Sequence, residues 1–219
     1  MLYAGEHLLS DMRFLYLASR SPRRRELLAQ IGIPFQIVDI EIDESVKAGE
    51  GALAYVERVA REKAHAGHAA LTTAGALPAP VLAADTTVAL GSDILGKPAN
   101  AEDAIELLTR LSGREHFVHT GIALVLGEHM LSKVVTTRVQ FVDITQQQIE
   151  RYVALGEPMD KAGAYGIQGY GGVLVEWIAG SYSNVVGLPI QETAELAAHF
   201  GISCWQTDAG RQEAINIRP

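Results

Sequence analysis

Asp85 stands in the run Val81-Leu82-Ala83-Ala84-Asp85-Thr86-Thr87-Val88-Ala89-Leu90, flanked by apolar or small residues and two threonines. The run reads as a buried strand. A lone carboxylate there must be functional or firmly paired, because an ionised acid is costly to remove from water. Its chemistry would be that of a metal ligand, or of a general base toward a water. Thr86 and Thr87 are placed to donate to it or to a ligand. A second stretch, Ser19-Arg20-Ser21-Pro22-Arg23-Arg24-Arg25, follows a short apolar run, 14–18. Ser21 suits an N-cap and Pro22 the first helical position, so a helix is predicted over 22–31, stopped by Gly32. Three arginines in its first turn oppose the helix dipole. They make sense where an anion binds, and a helix N-terminus after a strand is a phosphate site. Arg24, Leu27, Leu28 and Ile31 share one stripe, which turns Arg24 toward the sheet.

Other residues could join that chemistry. Asp39, Glu41, Asp43 and Glu44 cluster after a strand, where Mg²⁺ takes one or two carboxylates plus substrate phosphates. On composition alone a solvated acidic loop is the simpler explanation of them. Val56, Val59, Ala60 and Lys63 share one helix face, so Lys63 points inward and needs a phosphate or a structural carboxylate as partner. Lys97, between Gly96 and Pro98, sits on a constrained turn that could face a phosphate or plain solvent. The stretch Lys161-Ala162-Gly163-Ala164-Tyr165-Gly166-Ile167-Gln168-Gly169 is neither a Walker loop nor a dinucleotide fingerprint. Its glycines allow close approach to a ligand, and Gln168 has the donor and acceptor to read a base edge. The pairs His65/His68 and His116/His119 lack a third ligand at zinc spacing. Cys204 lies outside any catalytic pattern, and there is no Gly-x-Ser-x-Gly elbow.

The elements that must position these groups alternate in type. Strands are predicted over 14–18, 35–39 and 81–90, with an acidic loop at 40–49 and a helix over about 50–70 between the last two. A hairpin turn at 91–93 and a helix over 101–111 come next. Two longer strands, 116–126 and 131–142, flank a turn at 127–129. A helix capped by Thr145 runs to about 155, a glycine-rich loop occupies 163–172, and a strand follows over 172–178. Pro189 opens the last helix. This pattern implies an α/β fold, with a mixed twisted sheet and flanking helices. Residues 1–13 read as an N-terminal extension, 14–201 as a single domain, and 202–219 as a tail of little periodicity, expected to be partly disordered. Segment 101–155 is a candidate for a lobe across a cleft.

The chain of 219 residues carries a net charge of −8, which argues against a general nucleic-acid binder but not against a local basic pocket. A single cysteine excludes an intrachain disulfide and points to a reducing, cytoplasmic setting. No run approaches a membrane helix, and Glu6 and Asp11 interrupt any signal-peptide core.

Taken together the motifs resemble the Maf (septum formation) family of nucleoside triphosphate pyrophosphatases, over about Phe14 to Phe200. The resemblance rests on Leu17-Ala18-Ser19-Arg20-Ser21-Pro22-Arg23-Arg24, Asp43-Glu44, Arg61-Glu62-Lys63-Ala64, Ala84-Asp85-Thr86, Gly96-Lys97-Pro98 and the 161–169 loop, in that order. Gly166-Ile167-Gln168-Gly169 resembles the branch acting on dTTP and UTP, not the 7-methyl-GTP branch. The family implies a fold like the inosine triphosphate pyrophosphatases, with two lobes around a cleft. It implies hydrolysis of a nucleoside triphosphate, modified pyrimidine nucleotides included, to the monophosphate and pyrophosphate with Mg²⁺, Mn²⁺ or Co²⁺. By motif position Asp85 would accept the proton of the attacking water. Arg24, Lys63 and Lys97 would hold phosphates, with Ser19 beside them, and Glu44 would help bind the metal. Arg23, Thr86 and Gln168 fall where the family sets nucleotide choice. The alternative implied by the family's name is a nucleotide-binding regulator of septum formation with little turnover. The expected partner is a nucleoside triphosphate, with no nucleic-acid polymer and no membrane; whether the chain forms a homodimer stays open.

Overall fold

The computed structural model describes residues 14–206. Its sheet has seven strands: β1 (Leu15–Leu17), β2 (Phe35–Ile37), β3 (Val81–Leu90), β4 (Asp93–Leu95), β5 (Glu115–Leu126), β6 (His129–Phe141) and β7 (Val175–Ala179). The order is β2-β1-β3-β5-β6-β7, with β4 paired to β3. β1 runs parallel to both β2 and β3, and every other pairing is antiparallel, so the sheet is mixed as expected.

Alternation along β3 decides what each face packs against. Val81 and Ala83 lie in a core with Ala60 and Ala64 of α2 (Ala52–Thr73). Leu82 and Ala84 face the other way, into a core with α1 (Pro22–Gln30) and α6 (Ile190–His199). Further along that second face, Val88 joins Val118, Val139 and Phe141 in a separate core with α3 (Ala101–Leu111) and α4 (Gln146–Ala154). Two cores on one face of a long sheet make two halves, with a gap between them.

The gap has its origin in the strand pairing. β1 pairs only with Val81 and Leu82, and β4 only with Val88 to Leu90. The stretch between them, residues 83–87, lies beyond either partner on that edge, and Asp85 and Thr86 sit in its middle. β1 connects to one side through α1 while β3 continues to the other, so this is a topological switch point of the kind where α/β sheets bind ligands.

Several local expectations hold. Thr145 forms a capping box with Gln148, and Pro22 opens α1. Ser21 occupies the N-cap position but makes no side-chain cap bond. Its backbone N–H donates to Ser19 Oγ at 3.2 Å. The strand predicted over 172–178 starts later, because Tyr170–Leu174 coils into a 3₁₀ turn. The short helix α5 (Tyr182–Val186) was not foreseen. Residues 202–206 pack rather than trail away: Ile202 lies in the core, and Trp205 and Gln206 N–H groups donate to Ile31 and Gly32 carbonyls. The extension 1–13 lies outside the described residues. Among the described residues no helix is long and apolar enough to cross a membrane.

α2 seats closely because Gly121 on β5, which pairs with Asp85, offers no side chain. A Cβ there would come within 2.6 Å of the Val56 carbonyl carbon and 2.9 Å of Glu57 N. Gly121→Ala is expected to destabilise the fold by about 3 kcal/mol, the upper range for overpacking, because backbone must shift to admit it. Denaturant unfolding checks this; an unchanged midpoint would refute the close seating of α2.

Candidate active site

The nine residues to which the family resemblance gives a site role line one cleft of about 1180 Å³: Ser19, Arg23, Arg24, Glu44, Lys63, Asp85, Thr86, Lys97 and Gln168. Of the other acidic-loop candidates Glu41 lines it too, while Asp39 and Asp43 do not. Six of the chain's 18 Lys and Arg side chains line it together with five of its 26 Asp and Glu, so a chain of net negative charge gathers a third of its cations here, interleaved with carboxylates.

At the floor, Lys63 of α2 and Asp85 of β3 are both buried. The Lys63 ammonium donates to Asp85 Oδ1 at 2.9 Å and lies 2.9 Å from Glu44 Oε1. The inward face read from the spacing of α2 is therefore correct, and the partner in this state is a carboxylate pair. Burial pushes the Asp85 carboxyl above its ordinary value, while Lys63 and Arg24 pull it back down. Such a group is a stronger proton acceptor than an ordinary aspartate, yet still ionises beside its cations.

The acidic loop divides by partner. Arg20 takes Asp39 at 2.5 Å and Glu41 at 2.7 Å. Asp43 accepts from Ser45 N at 2.9 Å. Only Glu44 reaches the floor. Tyr55 and Arg58 fix it there: the Tyr55 hydroxyl donates to the Glu44 carbonyl at 3.0 Å, and Arg58 to the Ser45 carbonyl at 3.0 Å. Arg58 also pairs with Glu50 at 2.6 Å. Neither residue was picked out from the sequence, though Tyr55, Val59 and Lys63 share a spacing of four.

Arg24 forms the second wall. Its Nε donates to the Gly187 carbonyl at 2.8 Å, Nη1 to Ser19 Oγ at 3.2 Å and Nη2 to Thr86 Oγ1 at 3.1 Å. Burial pushes the guanidinium below its ordinary value, opposed by Asp85 and Glu44. Thr86 does not serve Asp85, because adjacent strand residues point to opposite faces. Its hydroxyl meets Arg24 and, at 2.9 Å, Thr120 Oγ1. Thr120 donates to the Asn184 carbonyl at 3.1 Å, and Asn184 Nδ2 donates to the Val118 carbonyl and to Thr137 Oγ1, both at 3.0 Å. α5 is thus pinned to the sheet and ends at Gly187, whose φ of +124° favours glycine and turns its carbonyl to Arg24.

Arg23 reaches across the cleft to Asp160 at 3.5 Å. Arg25 is half-buried, and its Nε is buried without a hydrogen-bond partner among the described residues. Lys97 is exposed on the rim, on a turn whose Gly96 carbonyl accepts from Gly163 N at 3.0 Å. Gln168 is exposed at the edge of the glycine-rich loop. His116 and His119 are structural. His116 Nε2 meets the Tyr165 hydroxyl at 2.9 Å, and burial pushes its pKa down to about 4. His119 Nδ1 meets Thr136 Oγ1 at 2.8 Å.

Residues 14–200 match the family model described as Maf-like protein. The chain belongs to that family. It is 52% identical over 187 residues to the dTTP/UTP pyrophosphatase of Chromobacterium violaceum, covering 85% of this chain and 94% of that one. It is 55% identical over 194 residues to the protein of the same name from Myxococcus xanthus, covering 88% and 95%. The solved structure of the Staphylococcus aureus Ham1 protein is a weak likeness, with a TM-score of 0.43 at 19% identity, covering 74% of this chain and 79% of that one.

In this Maf-like chain the donor set suits a hard divalent cation only in part. Among the described residues no group of three or more His, Cys, Asp or Glu could hold a metal. Glu44 and Asp85, gathered around one cation, supply the one or two carboxylates such an ion takes when substrate phosphates provide the rest.

The pair at the floor is testable by titration. Lys63→Met removes the cation that lowers the Asp85 pKa, so the carboxyl should titrate higher than in the parent. NMR of the side-chain carboxyl carbon reads this, and an unmoved titration would refute the coupling. The parent value lies above the unfolded 3.8, so the folded state holds this proton more tightly. Asp85 alone therefore makes the fold less stable as pH rises through that interval.

Proposed function

We propose that this chain hydrolyses dTTP and UTP to the nucleoside monophosphate and pyrophosphate, with Asp85 activating the attacking water and a divalent cation held beside Glu44. The observation that carries the reading is the buried Lys63 ammonium set between Asp85 and Glu44 at the floor of a cleft that Arg23, Arg24 and Lys97 also line. The names of the curated relatives supply the substrate class.

In this reading the triphosphate enters along Arg24, Lys63 and Lys97. Asp85 takes a proton from water as the oxygen attacks the α-phosphorus. The bond from that phosphorus to the bridging oxygen breaks, and pyrophosphate leaves with the bridging oxygen. Arg24 is already oriented by Gly187, Ser19 and Thr86, so little reorganisation is needed as charge builds on the phosphoryl oxygens. A divalent cation, Mg²⁺, Mn²⁺ or Co²⁺, would be held by Glu44 with Asp85 and would neutralise phosphate charge. Lys63 is then free to turn from carboxylate to phosphate. Arg23, Thr86 and Gln168 form the candidate base-selecting set.

The overall negative charge supports a small anion that fits inside the cleft over a polyanion that must also lie along the surface. The single cysteine supports a reducing, cytoplasmic setting. A regulator with little turnover is not favoured, since the similar curated proteins carry enzyme names.

Assays of a nucleoside triphosphate panel with Mg²⁺, Mn²⁺ or Co²⁺ should show dTTP and UTP as the best substrates and pyrophosphate as the product. Orthophosphate as the only initial product would overturn attack at the α-phosphorus. Chelation should abolish turnover, and restored metal should return it. Asp85→Asn should lower kcat by about 10²–10⁴-fold while nucleotide binding persists, the range for loss of a general base. Full activity in that variant would remove Asp85 from the role.

A further inference from the structure

Gln168 sits on a loop with few fixings of its own, and those it has converge on one carboxylate. Glu157 opens the 3₁₀ turn Glu157–Asp160, just after Gly156. Its Oε1 accepts from the Tyr152 hydroxyl at 2.8 Å and from Gly171 N at 3.0 Å. Its Oε2 accepts from Tyr170 N at 2.9 Å. The Tyr152 hydroxyl oxygen in turn accepts from Gly166 N at 3.1 Å. Both ends of the loop Gly166–Gly171 therefore hang from the Tyr152–Glu157 pair. Among the described residues no other side chain hydrogen-bonds to this loop. Burial works against the Glu157 charge, but the donors from Gly171, Tyr152 and Tyr170 outweigh it and hold the carboxyl below its ordinary value. The fit is close: a Cβ at Gly169 would lie 2.6 Å from Glu157 Cδ.

The same turn governs the facing wall. Lys161 donates to the Glu157 carbonyl at 2.6 Å and to Asp160 at 2.5 Å, and Asp160 faces Arg23 at 3.5 Å. The carboxylate that seats Gln168 thus belongs to the segment that meets Arg23.

We propose that Glu157 is a positioning residue for base selection, holding Gln168 at the height and angle from which it reads the base. The inference rests on the cleft being a dTTP/UTP site. Glu157 has no part in the chemical step, because its oxygens are occupied by the loop and by Tyr152. Its loss should therefore be felt in binding and in discrimination rather than in the rate of the bound complex.

Glu157→Gln keeps the size of the side chain but removes the charge and turns one acceptor into a donor facing a backbone N–H. The KM for dTTP and UTP should rise about tenfold, the worth of one charge-assisted hydrogen bond. The kcat should stay within about twofold. The preference in kcat/KM for dTTP over dATP should fall about tenfold. A folded Glu157→Gln that discriminates as well as the parent overturns the inference. So does one in which kcat falls equally for every substrate while the preference is kept. Where this variant does not fold, Tyr152→Phe decides: it removes one donor to Glu157 and the acceptor for Gly166 N. Its preference should fall about threefold, and an unchanged preference counts against the inference. A parent enzyme without pyrimidine preference sinks the substrate reading and this inference with it. A selective parent with an equally selective variant sinks this inference alone.

Discussion

One ammonium, Lys63 Nζ, stands 2.9 Å from each of two carboxylates at the foot of the cleft. Lys63 and Asp85 are buried while Glu44 is exposed, so it is the Lys63–Asp85 pair whose charges are tolerable only together, since removing one partner of a buried pair costs about 3–5 kcal/mol. Much of the architecture follows from bringing them there. α2 must cross the sheet closely enough for a lysine stem to reach β3, hence a glycine at position 121 beneath Val56. The acidic loop must be drawn inward at Glu44, hence the Tyr55 and Arg58 bonds to its backbone. Arg20 engages Asp39 and Glu41 instead, and Ser45 N engages Asp43.

The second constraint is that Asp85 and Thr86 are neighbours on a strand and so belong to opposite faces. In an ordinary sheet they could not serve one ligand. Here β1 stops short and β4 begins late, so the edge of β3 between them opens into the cleft. Each face then sends its group around that edge: Lys63 with Asp85 from the α2 side, Arg24 with Thr86 from the α1 side. The α1 side needs its own anchor, which is the polar seam from Thr86 through Thr120 to Asn184, lying between two apolar cores. A polar seam there lets the halves meet at hydrogen bonds of fixed geometry rather than at adaptable apolar contacts.

Much of this was legible in the sequence, where a residue type broke the local pattern. A carboxylate in an apolar strand, a lysine on the inner face of a helix and an arginine on an apolar stripe each contradict the cost of burying charge. Periodicity was enough to place them, and β3 and α3 were read with their observed bounds. What escaped depends on contacts between distant positions. Asp39, Glu41, Asp43 and Glu44 look equivalent in sequence, and what separates Asp39 and Glu41 from Glu44 is Arg20 on one side and Lys63 on the other, each about twenty residues away. Ser21 has good capping chemistry and takes the N-cap position, yet its side chain makes no cap bond. α5 is too short to show a helical period, and Glu157 lies in a turn where a glutamate looks ordinary.

The three arginines at the start of α1 show how far local electrostatics can be read. Cations at a helix N-terminus are unfavourable, and no acidic residue of α1 offsets them in its first turn. Arg23 finds Asp160 only at 3.5 Å, and Arg24 finds only neutral oxygens. Desolvation already weighs on Arg24, opposed at a distance by Asp85 and Glu44. The free site therefore holds cations in place without fully compensating them. An anionic group bound beside Arg24 would relieve that cost, and the relief would grow as negative charge builds on its oxygens. Positive charge left uncompensated in the free protein is thus the same charge that can favour a transition state over a ground state.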